Sequence, residues 1–176
     1  MRNFARTSSL AVLVAGATAA AHRAHAAEPT VSECLGANEK SIALRRESKL
    51  EAAREQLLVC AAASCPAEIR KECADRVERV NAAIPTIVFE VKDAVGIDVV
   101  AVHLTVDGRP ATDVKEGVAL PLDPGTHTFQ FEANGYLRSE KTLVLRQGEK
   151  DRRELITLAR EPVKEARAAT VPAALA

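Results

Sequence analysis

The periodicity of this chain changes at Pro85, and that change constrains the fold more than any other feature. Before Pro85, apolar residues recur at helical spacing: Leu50, Ala53, Leu57, Cys60 and Ala61, then Ile69, Cys73, Val77, Val80 and Ile84. After it they alternate: Ile87, Phe89 and Val91 against Val88, Glu90 and Lys92. A stripe that suits a helix scatters its apolar groups over both faces of a strand, and the reverse holds too. The chain is therefore expected to be α+β by segments. A small disulfide-stapled helical hairpin or three-helix segment (27–84) should precede an antiparallel β-sandwich (85–160).

The helical part carries its own punctuation. Thr30-Val31-Ser32-Glu33 has the form of a capping box, and so does Ser48-Lys49-Leu50-Glu51. They predict one helix to about Glu47 and a second after a very short turn. Pro66 suits the start of a third. The four cysteines, Cys34, Cys60, Cys65 and Cys73, all fall here. Their spacing is too long for paired metal ligands, and no His lies among them, so two disulfides are expected. Cys65 to Cys73 is disfavoured, because eight residues of helix separate their ends by about 12 Å. Cys60 and Cys65 flank a helix end, so Cys60–Cys65 with Cys34–Cys73 is the preferred pairing. Cys34–Cys65 with Cys60–Cys73 is the alternative.

In the β part, Val100, Val102, Leu104 and Val106 form a second inward set, and Asp93 to Asp98 with Gly96 makes the turn before it. Val118, Leu120 and Leu122 alternate, as do Phe129 and Phe131. Asp123-Pro124-Gly125 between them predicts a hairpin, since Pro presets φ and Gly accepts a positive φ. Leu143 and Leu145, then Ile156 and Leu158, give the last strands around a turn at Gln147-Gly148-Glu149-Lys150.

Val106-Asp107-Gly108, Leu120-Pro121-Leu122-Asp123-Pro124-Gly125-Thr126-His127, Ala133-Asn134-Gly135-Tyr136, Val144 and Gly148-Glu149 together resemble a PEGA-type domain. That family is a small β-sandwich akin to prealbumin-like and carboxypeptidase-regulatory modules. The resemblance covers about residues 86 to 159. It implies a bacterial envelope or surface protein without catalytic residues. Residues 43–57 followed by Pro66 resemble one tetratricopeptide-like hairpin, with Ala53 and Leu57 at its small and large packing positions. A lone hairpin cannot build the groove of a repeat array.

The ends bear on location. Arg2 and Arg6, the apolar run Leu10–Ala21 and Ala24-His25-Ala26 have the form of a signal peptide (1–26). The run is shorter than the ~20 residues a spanning helix needs. Removing it takes away Arg2, Arg6 and Arg23 and leaves 21 basic against 24 acidic residues. That balance argues against nucleic acid as a partner. Residues 161–176 are expected to be a disordered tail, too short for a membrane tether.

Chemistry is sparsely marked. No P-loop, dinucleotide fingerprint, G-x-S-x-G or H-E-x-x-H is present. His103 is expected to face outward and His127 to sit at the core margin, with no second His and no carboxylate at ligand spacing among their sequence neighbours. Asp107, Asp113 and Asp123 fall in or near turns, where hydrogen bonding is their ordinary role. Lys150-Asp151-Arg152-Arg153-Glu154 is expected to be a solvated turn. Tyr136, the only Tyr, is the candidate partner contact, with capping of the sandwich core as its other role. No catalytic, metal or cofactor site is expected. The expected function is a structural or protein-interaction module of the periplasm or cell surface. The alternatives are peptidoglycan or carbohydrate binding, against which the scarcity of aromatic residues weighs, and an unrecognised enzyme, which no motif supports.

Overall fold

The computed structural model describes residues 28–111 and 117–162. The expected signal peptide, Asp113 and the residues after Pro162 lie outside the described residues.

Helix α1 (Val31–Arg46) begins at a reciprocal capping box. The Glu33 N–H donates to Thr30 Oγ1 at 3.3 Å, and the Thr30 N–H donates to Glu33 Oε2 at 2.7 Å. Helices α2 (Leu50–Cys60) and α3 (Ala67–Ala83) follow. The second expected box does not form. Ser48 takes a left-handed φ of 59° to close the tight α1–α2 turn, which leaves Lys49 at the N-cap. A lysine side chain has no acceptor for the exposed N–H groups.

The bridges are Cys34–Cys65 and Cys60–Cys73, with Cα separations of 5.8 and 5.9 Å. This corrects the preferred pairing of Cys60 with Cys65 and Cys34 with Cys73. The buried stripes decide it. Cys60 shares a buried stripe with Leu50, Ala53 and Leu57 on α2, and it meets Cys73, which shares one with Val77 and Val80 on α3. Cys65, in the α2–α3 turn, reaches back to Cys34 on the α1 stripe of Ala37 and Ser41.

Among the described residues, seven strands make two sheets. Strands β1 (Thr86–Asp93), β4 (Leu120–Pro121) and β7 (Arg152–Leu158) form one, in the order β4-β1-β7. Strands β2 (His103–Val106), β3 (Arg109–Pro110), β5 (Gly125–Glu132) and β6 (Ser139–Leu145) form the other, in the order β3-β2-β5-β6. The second sheet is antiparallel as expected. The first is mixed, because β1 and β7 run parallel from Ile87↔Arg152 to Asp93↔Leu158. First and last strands can pair this way because the whole domain serves as their crossover.

The turn at Asp123-Pro124-Gly125 is likewise not a hairpin. Leu120 and Pro121 pair with Ile87 and Thr86 of β1, whereas β5 pairs with β2 and β6. The turn carries the chain from one sheet to the other, with Gly125 at φ 148°. Between the sheets lie Ile87, Phe89 and Val91, Leu104 and Val106, Phe129 and Phe131, Leu143 and Leu145, and Ile156 and Leu158. Phe89 meets Phe129 and Phe131 edge to face, with centroids 4.9 and 5.0 Å apart. Val100 does not join this core. Ala101 has a φ of 56°, which breaks the alternation before β2 begins, and Val100 stays exposed.

Two helix ends join the segments. The N–H of Glu51, in the first turn of α2, donates to Asp123 Oδ1 at 2.9 Å. The β domain thus supplies the cap that Lys49 cannot. At the end of α3, the Gly148 N–H donates to the Ala83 carbonyl at 2.7 Å. Lys150 Nζ reaches the carbonyls of Asn81 and Ile84. A cation and an N–H at a helix C-terminus satisfy carbonyls that the helix leaves open. Lys150 is therefore part of the junction, and Arg152 and Arg153 are strand residues of β7.

The Asp123 cap gives a direct prediction. Asp123→Ala is expected to lose about 1 kcal/mol, the usual worth of an N-cap acceptor. Asp123→Asn keeps the acceptor and should lose much less. Urea midpoints of the two variants would check this, and equal losses would show that the cap contributes nothing.

Candidate functional site

The far end of the sandwich, away from the helices, is closed by residues 94–102 between β1 and β2. Its organiser is Asp93, whose carboxyl is buried. Asp93 Oδ1 accepts the N–H groups of Val95 at 3.0 Å and Ile97 at 2.9 Å, and the Asp93 N–H donates to the Ile97 carbonyl at 2.8 Å. Asp93 Oδ2 takes a bond from Arg160 at 2.8 Å. The Arg160 hydrogen bond, then the Ile97 N–H, hold the Asp93 carboxyl below its ordinary range. Arg160 lies 5.6 Å from the centroid of the Tyr136 ring, a cation–π distance.

On this frame stand three large apolar side chains with little cover. Val95, Ile97 and Val100 are 77%, 59% and 73% exposed. Behind them opens a cavity of about 130 Å³ lined by Val99, Val102, Leu104, Phe89, Val91 and Phe131, with Val100 and Ala101 at the loop. Cavities of ~150 Å³ with such a lining admit a benzene-sized group. Exposed aliphatic groups around an apolar recess are what an interaction surface presents. The flanking charges are paired: Lys92 with Asp98 at 2.7 Å, and Arg138 with Glu132.

Tyr136, the sequence candidate for partner contact, is half-buried. It packs on the sandwich core, and its ring lies beneath Arg160. The apolar end of the sandwich was missed at the sequence level. Its signal was there: Val95 and Ile97 are β-branched residues inside a stretch otherwise marked as a turn by Asp93, Gly96 and Asp98.

The remaining candidates gather at the junction with the helices. His127 Nδ1 lies 2.7 Å from Asp107 Oδ2, and Nε2 lies 2.8 Å from the Asp123 carbonyl oxygen. Asp107 Oδ1 also accepts the Thr128 N–H at 2.8 Å. The sequence neighbours of His127 offer no carboxylate at ligand spacing, and the fold brings one from farther away in the chain. Asp107 is 20 residues away in sequence but sits in the β2–β3 turn beside β5. Both ring nitrogens are engaged, so the ring has no free position for proton transfer to a ligand. Burial works to raise the Asp107 carboxyl, but the Thr128 N–H, His127 and Arg109 outweigh it and hold the group below its ordinary value. Burial first, and the Asp123 carboxylate next, push the Glu51 carboxyl above the usual Glu range. His103 faces outward on β2, opposite Glu132. Among the described residues, no group of His, Cys, Asp and Glu is placed to hold a metal ion.

The raised Glu51 carboxyl has a consequence for pH. Glu51 binds its proton more tightly folded than unfolded. Its contribution to stability is full below the unfolded value of 4.5 and is lost as pH rises through the higher folded value. Glu51→Gln is therefore expected to stabilise the protein at neutral pH, and the gain should vanish below about pH 4. Thermal melts of both proteins across that range would test the sign. A variant less stable at neutral pH contradicts it.

No protein-family model matches the chain, and comparison with curated proteins finds no match.

Proposed function

We propose that the protein is an exported, non-enzymatic module of the cell envelope that engages a protein partner through the apolar end of its sandwich. The observation that carries this reading is the exposure of Val95, Ile97 and Val100 around an apolar cavity, on a loop fixed by the buried Asp93. A loop held by three backbone hydrogen bonds and an ion pair has little ordering left to do on binding.

The β domain is read as PEGA-like. The residues of that resemblance have structural employment: Asp107 holds His127 and Thr128, Asp123 caps α2, and Tyr136 covers the core. This supports a scaffold in which function lies on surfaces. Two disulfides suit an oxidising, extracytoplasmic compartment. Among the described residues, no helix is long and apolar enough to cross a membrane.

The test is co-sedimentation of the purified protein with isolated envelope fractions, beside the double variant Ile97→Asp/Val100→Asp. Both side chains are exposed, so the variant is expected to fold. The wild type should be retained and the variant released. A wild type that stays wholly soluble, or retention unchanged by the two aspartates, overturns the reading.

A further inference from the structure

The corner where α1 and α3 end beside the β6–β7 turn holds three arginines without an ion-pair partner among the described residues. Arg45 and Arg46 lie in the last turn of α1, and Arg79 lies near the end of α3. All three line one depression of about 550 Å³, with Gln147 from the β6–β7 turn. Ile42, Leu50, Val80 and Ala83 complete its lining. None of the three guanidinium groups makes an ion pair or hydrogen bond among the described residues.

The ordinary reason for arginines at a helix C-terminus is to satisfy its last carbonyls. Most of those carbonyls are already taken. At the end of α1, the N–H groups of Glu47, Ser48 and Lys49 bond to Ala43, Leu44 and Arg45. At the end of α3, Gly148 and Lys150 serve Ala83, Asn81 and Ile84. Nearby acids are used elsewhere or stand apart. Glu47 pairs with Lys49 and Glu72 with Arg76, and Asp75, one turn before Arg79, makes no ion pair with it. Three like charges around one depression repel one another, and a bound anion removes that repulsion.

We propose that Arg45, Arg46 and Arg79, with Gln147, form a binding site for a terminal phosphate group. A guanidinium is a planar fork that bonds two oxygens at once. Three forks exceed what the two oxygens of a carboxylate can accept, whereas a phosphate monoester offers three charged or partly charged oxygens and up to two negative charges. Such a phosphate is carried either by a lipid headgroup or by a small soluble molecule. The site lies on the helical segment, separate from the apolar loop at the far end of the sandwich.

Two probes distinguish the sources. Calorimetric titration with inorganic phosphate reads the soluble form. Flotation with phosphatidylcholine vesicles containing phosphatidic acid, against pure phosphatidylcholine vesicles, reads the headgroup. Saturable binding in at least one arm is expected, weakening as salt is raised. The variant Arg45→Gln/Arg46→Gln/Arg79→Gln should bind about tenfold more weakly or less still. The charge-matched control Lys40→Gln/Lys71→Gln/Arg138→Gln should stay within about twofold. Circular dichroism should report both variants as folded, since the three arginines are exposed and make no ion pair or hydrogen bond among the described residues. Arg79→Gln alone gives the same readout with the least disturbance. Absence of binding in both arms, equal flotation with the two vesicle types, or equal losses in the two triple variants would each overturn the site.

Discussion

Replacing Phe129 by alanine is expected to remove about 3–5 kcal/mol of stability. A small domain has only about 5–10 kcal/mol to lose, so the sandwich should approach its unfolding threshold under ambient conditions. The side chain is fully buried at the centre of the two-sheet core, edge to face with Phe89. Its removal deletes apolar burial and leaves a cavity that flanking strands, fixed by ladders on both sides of β5, cannot collapse into. Phe129 also adjoins His127, with ring centroids 6.3 Å apart, so the loss reaches the junction with α2. The chain has no Trp and a single Tyr, and that Tyr lies in the sandwich. Tyr136 fluorescence in a urea titration therefore follows the β domain alone. Val144→Ala, on an exposed position of β6, serves as the control and should stay within about 0.5 kcal/mol. A Phe129→Ala midpoint close to that control would mean that the core lies elsewhere.

What the sequence made legible, and what it hid, follows from the range of each interaction. The three helices were visible because periodicity and the Thr30–Glu33 box are local properties of a few residues. The inward sets of β1, β5, β6 and β7 were visible for the same reason. The partner of each strand was not. A Pro-Gly turn carries the same local code whether the next strand stays in its sheet or crosses to the other. Only the pairing of Leu120 with Ile87 distinguishes the two. The Ser48 box failed because the tight α1–α2 turn required a left-handed residue at that position, and the replacement acceptor, Asp123, lies 72 residues away. His127 and Asp107 are likewise joined only by the register between β2 and β5. The disulfides are the instructive case. The helical stripes already placed Cys60 beside Leu57 and Cys73 beside Val77, facing one shared core. The preferred pairing instead weighed the short distance from Cys60 to Cys65, which across a helix end says little about direction.

That pairing sets the response to reduction. Chain entropy assigns about 3.7 kcal/mol to the Cys34–Cys65 bridge and about 3 kcal/mol to Cys60–Cys73, from their separations of 31 and 13 residues. The sum of about 6–7 kcal/mol exceeds what so small a helical core sustains unaided. That core rests on few side chains, chiefly Leu50, Leu57, Val77, Val80 and Ile84 around the Cys60–Cys73 bridge. Reduction in native buffer is therefore expected to abolish most of the helical circular dichroism while Tyr136 fluorescence persists, because no cysteine lies in the sandwich. Removal of one bridge at a time separates entropy from packing. Entropy alone makes Cys34→Ala/Cys65→Ala the costlier change by about 0.7 kcal/mol. All four cysteines are buried, but Cys60 and Cys73 pack within the apolar cluster around Leu57, Val77 and Val80, so their truncation adds the larger cavity term. Cys60→Ala/Cys73→Ala is thus expected to be the more damaging pair, despite closing the shorter loop. Helical signal that survives full reduction would show that the segment is held by its core and by the Asp123 and Lys150 caps, with the bridges contributing little.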